Sequence, residues 1–226
     1  GRPEVLRVEH LTLPGHFTDV SFTVRAGEIV GLAGLVGSGR SEIIETIYGA
    51  RRPAAGRVLL DGAPVRPGST VHAVRLGMGL APEERKAQAL LMHETVGRNI
   101  TIAGLHRFSR LGWIDRGRER AEAERLVRAL SGGNQQKAVL ARWLGDGRRL
   151  LLLDEPTRGV DIGARAELYR LIRRLADDGI GVLLVSSEVP EVLGLADRVL
   201  VLREGAVIHE GDARDVDDRT VLDMIM

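Results

Sequence analysis

Cysteine is absent from the 226 residues, which removes disulfides, thiolate nucleophiles and cysteine-bound metals from consideration. No apolar run approaches the roughly 18 residues needed to span a bilayer. The opening GRPEVLRVEH has no apolar core of a secretion signal. A cytosolic protein is expected, and one docked on a membrane protein has the same appearance. Net charge is nearly absent too: the formal +1 gives no reason to expect nucleic acid or an acidic membrane surface as main partner. Lysine is almost missing. Lys86 and Lys137 stand alone, and every other strong base is arginine.

What is present is an ordinary folded composition, 44% hydrophobic and 28% charged, long enough for one sizeable α/β domain with a substantial core. Short runs of Val, Ile and Leu alternate with helical patterns, the signature of a mainly parallel sheet with crossover helices. The strands expected are 5–8, 20–24, 28–32, 57–60, 79–81, 150–154, 181–186, 199–203 and 206–209. The first two and 57–60 are joined by turn-rich segments, so an antiparallel sheet beside the parallel one is expected. Leu168, Leu171, Ile172 and Leu175 recur at helical spacing and predict an amphipathic helix over 164–178. From Val96 to about Leu130 the chain is strand-poor and arginine-rich, and reads as an inserted helical subdomain.

Three stretches carry chemistry. GLAGLVGSGRSE, residues 31–42, fits G-x-x-x-x-G-K-[ST] through Gly34, Gly37, Ser38, Gly39 and Ser41, with Arg40 where the lysine belongs. Glycines there let main-chain N–H groups point at phosphate oxygens, and the following helix, expected over 42–48, presents its positive end. An ordinary glycine-rich turn is the alternative for this loop taken alone. LLLLDEP, residues 150–156, delivers Asp154 to the sheet edge as a Mg²⁺ ligand and Glu155 as a base for water. LSGGNQQKAVLARWL, residues 130–144, offers Ser131 as a helix cap and the N–H groups of Gly132 and Gly133 as an anion-binding end. His72, His93, His106 and His209 show no metal-ligand spacing.

Together, GLVGSGRS, LSGGNQQK and LLLLDEPTRGVD resemble the nucleotide-binding domains of ABC transporters over essentially the whole chain, 1–226. Within that family the combination with EERK and VSSEVPEVL resembles the second ATPase domain of the fused importers for ribose, xylose, galactose and related monosaccharides. The resemblance implies a P-loop α/β fold with an antiparallel β-subdomain and a helical insertion over about 96–145. It implies ATP and Mg²⁺ as cofactors, with Gly34, Gly37, Ser38, Gly39, Arg40, Ser41 and Glu42 around the nucleotide. Ser41, Glu83 and Asp154 would serve the metal, and Glu155 and Ser187 the catalysis. Ser131, Gly132, Gly133 and Asn134 would contact the γ-phosphate bound by a partner ATPase domain, fused in the same chain, and Asp161 would cross to that partner. Phe17 is the candidate to stack on adenine, with a place in the core as its other reading.

Further partners implied are transmembrane permease subunits, docked at 94–111, and indirectly a sugar-binding protein. The implied location is the cytoplasmic face of the plasma membrane, without nucleic acid. Three positions depart from the family pattern: Arg40 for lysine, Glu83 for the usual glutamine and Ser187 for the usual histidine. Drift toward arginine explains the first alone, so a degenerate pocket that binds ATP but turns it over slowly is expected. The alternatives are a non-catalytic gating module whose signature completes the partner's site, and a soluble ABC ATPase unconnected with transport. Helix 116–130 also runs straight into SGGNQQ, where relatives have about twenty further residues. A missing segment and a chain break at 130/131 are therefore expected.

Overall fold

The computed structural model describes residues 1–84, 91, 93–110, 113–129 and 147–226. Two sheets form its frame. Strands β1 (Glu4–Leu13), β2 (Phe17–Arg25), β4 (Ala55–Leu60) and β5 (Ala63–Pro64) make an antiparallel sheet in the order β2-β1-β4-β5. The second sheet contains β3 (Ile29–Gly34), β6 (Met78–Ala81), β9 (Leu150–Asp154), β10 (Gly181–Val185), β11 (Arg198–Arg203) and β12 (Ala206–Asp212). Its order is β12-β11-β3-β10-β9-β6, parallel throughout except for β12 on the edge.

The apolar runs of the central strands explain why they are buried on both faces. In β9, Leu151 and Leu153 point to one face, where they pack with Leu168, Leu171 and Ile172. Leu150 and Leu152 point to the other and meet Ile43, Ile44 and Ile47 together with the inner face of the antiparallel sheet. Period-2 alternation of one residue type thus fills two separate cores, as a parallel strand covered on both sides requires.

Seven helices surround this frame among the described residues: α1 (Arg40–Ile47), α2 (Thr70–Leu76), α3 (Val96–Thr101), α4 (Arg116–Ala129), α5 (Ile162–Asp177), α6 (Val189–Leu195) and α7 (Asp218–Ile225). The strands and helix expected from periodicity are present, with ends displaced by a few residues. The inserted region differs in one respect. Between α3 and α4 lie a 3₁₀ turn and a small antiparallel hairpin, β7 (Ser109–Arg110) with β8 (Trp113–Ile114). Two-residue strands have no room for period-2 alternation, so no sequence pattern announces them. Helix α4 is described as far as Ala129, and the junction at 130/131 lies outside the described residues.

Leu183, fully buried in β10 between β3 and β9, tests this layering. Leu183→Ala should lower unfolding stability by about 3 kcal/mol through lost transfer energy and a cavity, measured by urea denaturation.

Candidate functional site

The carboxyl ends of β3, β9 and β10 meet at one edge of the parallel sheet, and the chemistry-bearing residues gather there. Register does the work: Val185 pairs with Leu32 on one side and with Asp154 on the other. The loop leaving β3 therefore begins beside the acid that ends β9. At the start of that loop a side chain on Gly34 would place its Cβ 2.7 Å from Leu202 O. At its end Gly39 has φ 96°, in the left-handed region that favours glycine, and a Cβ there would approach His16 O to 2.6 Å. Only glycine fits both positions, so the loop can lie tight against the β1–β2 turn and β11.

Helix α1 starts at Arg40 with no side-chain cap on its first N–H groups. Ser41, in its first turn, donates from Oγ to Asp154 Oδ1 at 3.1 Å. This contact ties the glycine loop to β9 across 113 positions of sequence. Ser38 is buried, and its Oγ has no hydrogen-bond partner among the described residues. An orphaned hydroxyl in a glycine loop that opens a helix matches the needs of an anionic ligand. Glu42 lies partly buried in the same turn, 3.6 Å from His16 Nδ1.

Asp154 is 5% exposed. Burial pushes its carboxyl from an ordinary 3.8 to about 6; the Ser41 hydroxyl opposes this, the neighbouring Glu155 adds to it and Arg40 offsets part. Glu155 follows with φ 46°, a conformation sparsely populated for a side-chain residue and held here by its N–H donating to Val185 O at 2.9 Å. Its carboxyl is also raised by burial, against the pull of Arg40 and of Ser187. Ser187 Oγ donates to Glu155 Oε2 at 3.2 Å, while Arg40 Nη2 lies 3.9 Å from Oε1. Arg40 is itself buried, donating through Nη1 to the Ser186 carbonyl. Burial lowers its pKa against the opposing influence of Glu155 and Asp154.

The structure thus brings Gly34, Gly37, Ser38, Gly39, Arg40, Ser41, Glu42, Asp154, Glu155 and Ser187 to one sheet edge. Phe17 and Glu83 take other partners. Phe17 is 2% exposed and packed within the core between the two sheets; no face of its ring is open to a base, so the adenine-stacking expectation is corrected to a core role. Glu83 is engaged by the guanidinium of Arg158, just after the Asp154–Glu155 pair, rather than by Ser41 or Asp154. Among the described residues no three Asp, Glu or His side chains converge as a metal site; of the three expected metal-side residues, Ser41 and Asp154 meet. Asp161 caps α5, accepting from Ala164 N–H at 3.0 Å. Ser131, Gly132, Gly133 and Asn134 lie outside the described residues.

Sequence reasoning missed Ser186, Arg158 and Glu191. Ser186 reads as the end of a strand, and no pattern marks Arg158 or Glu191. Their partners are set by strand register, so no local signal marks them.

The ABC transporter family matches residues 17–158. The chain is 48% identical to the ribose import ATP-binding protein RbsA 1 of Streptomyces coelicolor, over 96% of this chain and 46% of that protein. It is 45% identical to the arabinose import ATP-binding protein AraG of Ralstonia nicotianae, over 98% of this chain and 47% of that protein. The chain spans about half the length of these curated relatives. In fold it is similar to cbiO1 of Clostridium perfringens, part of the ABC transporter complex cbiONQ, with a TM-score of 0.78 at 21% identity, covering 99% of this chain and 94% of that one.

The raised carboxyl of Asp154 has a consequence for stability. The folded protein keeps this proton until about pH 6, whereas an ordinary aspartate releases it near 3.8, so the folded state binds more protons across that window. Stability should therefore fall as pH rises from about 4 to about 6 on this group's account. Urea unfolding in EDTA at a series of pH values measures the slope, and Asp154→Asn should flatten it.

Proposed function

The chain belongs to the ABC transporter family, and from that premise we propose that it is an ATP-binding and ATP-hydrolysing domain that energises import of a monosaccharide. The observation that carries the reading is the 3.1 Å contact of Ser41 with Asp154, with Glu155 next in sequence. It sets a hydroxyl and a carboxylate together at the mouth of a glycine loop, beside a second carboxylate. The names of the relatives, ribose and arabinose import ATP-binding proteins, support the substrate class.

In this reading the main-chain N–H groups of the glycine loop and α1 receive the phosphates. Arg40 supplies a fixed positive charge, though its planar fork is not equivalent to an ammonium. The hard oxygens of Ser41 and of buried Asp154 fit Mg²⁺, which when bound would neutralise charge on the β- and γ-phosphates. Glu155 accepts the proton of the water that attacks the γ-phosphorus in line, and the ADP oxygen leaves on the opposite side. Ser187 orients Glu155 through its hydroxyl.

A second ATPase domain fused in the same chain agrees with the half-length match to the relatives. In that arrangement Ser131, Gly132, Gly133 and Asn134 complete the companion's site, Asp161 reaches toward it, and 94–111 docks the permease at the cytoplasmic face of the membrane. Among the described residues no helix is long and apolar enough to cross it. A missing segment at 130/131 stays part of this proposal; the arabinose relative is longer over the shared region, at positions its match does not locate. Its match runs over 242 positions against 226 residues here, so that relative has residues without a counterpart in this chain.

One observation favours a second reading, a nucleotide-gated module with little turnover of its own. Arg40 stands 3.9 Å from Glu155 Oε1 and Ser187 donates to Oε2; both stabilise the ionised carboxylate and so weaken it as a base, against the opposing effect of burial. Titration with Mg·ATP and hydrolysis of [γ-³²P]ATP separate the outcomes. Binding with turnover that falls about a hundredfold or more in Glu155→Gln is expected of the enzyme, and binding without turnover of the module. Absence of binding would end both readings.

A further inference from the structure

Glu191 is a buried carboxylate that the chemistry above leaves idle. It sits on α6 at 4% exposure, and Ser186 Oγ donates to its Oε2 at 2.5 Å. Its second oxygen, Oε1, makes no hydrogen bond among the described residues; the Tyr169 hydroxyl is near enough that its pKa is raised by burial and in part by Glu191. A carboxylate held this way is unfavourable for folding compared with an apolar side chain of similar shape, so its presence asks for a reason outside stability.

The reason lies in what Ser186 carries. Its hydroxyl links to Glu191 and also accepts from the Glu188 N–H at 3.1 Å. Its main-chain carbonyl accepts from Arg40 Nη1. The next residue, Ser187, holds Glu155 Oε2 at 3.2 Å, and Arg40 Nη2 stands 3.9 Å from Glu155 Oε1. One buried residue therefore joins Glu191 through its side chain to Arg40 through its backbone.

We propose that Glu191 is a positioning residue that, acting through Ser186, anchors the Arg40 guanidinium against Glu155. The anchor and the phosphate oxygens of a nucleotide then compete for one arginine. The inference rests on the functional reading above, because it requires a triphosphate in the loop. Its logic is geometric. A guanidinium has five N–H donors in one plane, and those directed at the Ser186 carbonyl and Glu155 are withheld from phosphate. The charge-assisted bond to Glu191 is of the strong kind and keeps the 186–187 peptide from turning away.

The test is a fluorescence titration of the full chain with Mg·mant-ATP. Glu191→Gln should tighten binding about threefold, while in an Arg40→Met background the same substitution should leave affinity unchanged. The pair Ser186→Ala with Glu191→Met keeps the main-chain carbonyl of residue 186 and replaces both members of the Ser186–Glu191 bond by apolar groups, leaving only the N–H of exposed Glu188 to find water. It should tighten binding by the same factor. An equal effect of Glu191→Gln with and without Arg40 would overturn the proposal, since a purely structural role would not depend on residue 40. Unchanged or weaker binding in both residue-191 variants would overturn it as well, while leaving the functional reading intact. A native chain that binds no Mg·mant-ATP would remove that reading and this proposal together.

Discussion

Parallel pairing of β10 with both β3 and β9 is the constraint on which the candidate site depends. The glycine loop and the acidic turn are far apart in sequence, and neither makes a site alone. Hydrogen bonds that align Leu32, Val185 and Asp154 in one row bring the two strand ends level, and Ser41 then closes the gap to Asp154. A shift of β10 by one residue would turn its buried leucines to the wrong cores as well as misplace the acids. The packing that stabilises the sheet and the alignment that assembles the site are therefore one requirement.

The same edge gathers charge in a place poor in water. Asp154, Glu155, Arg40 and Glu191 are all buried within a few residues of the strand ends. Such groups persist only when paired or hydrogen-bonded, and here the pairing is internal: Asp154 with Ser41, Glu155 with Arg40 and Ser187, Glu191 with Ser186. Where the family pattern has lysine, glutamine and histidine, this chain has Arg40, Glu83 and Ser187. Each of the three has acquired a partner within the domain: Ser186 and Glu155 for Arg40, Arg158 for Glu83, and Glu155 for Ser187. Arg40 and Ser187 converge on Glu155, while Glu83 pairs separately with Arg158.

The β1–β2 turn shows how a local reading goes astray. Phe17 is an aromatic near the glycine loop in the order of the family, and a stacking role follows from that order. Its strand, however, belongs to the antiparallel sheet that covers one face of the parallel one, and the inner position of that strand turns the ring into the core. Strand side is a matter of register between two sheets, and a single sequence does not state it.

By itself the sequence determined the class of fold and marked the glycine loop and the acids that end β9 as candidates. Those features are local: the two-residue period of Leu150–Asp154, the helical spacing of Leu168–Leu175, and glycines where a side chain on Gly34 or Gly39 would collide with backbone. Only the tertiary structure decided which polar groups meet. That Arg40 is buried against Ser186 and Glu155, that Glu83 meets Arg158, and that Glu191 holds Ser186 all depend on strand register and helix packing over long sequence separations. The physical reason is the short reach of these contacts. A hydrogen bond or ion pair is fixed within a few ångströms, whereas the patterns legible in sequence specify only the face on which a residue stands.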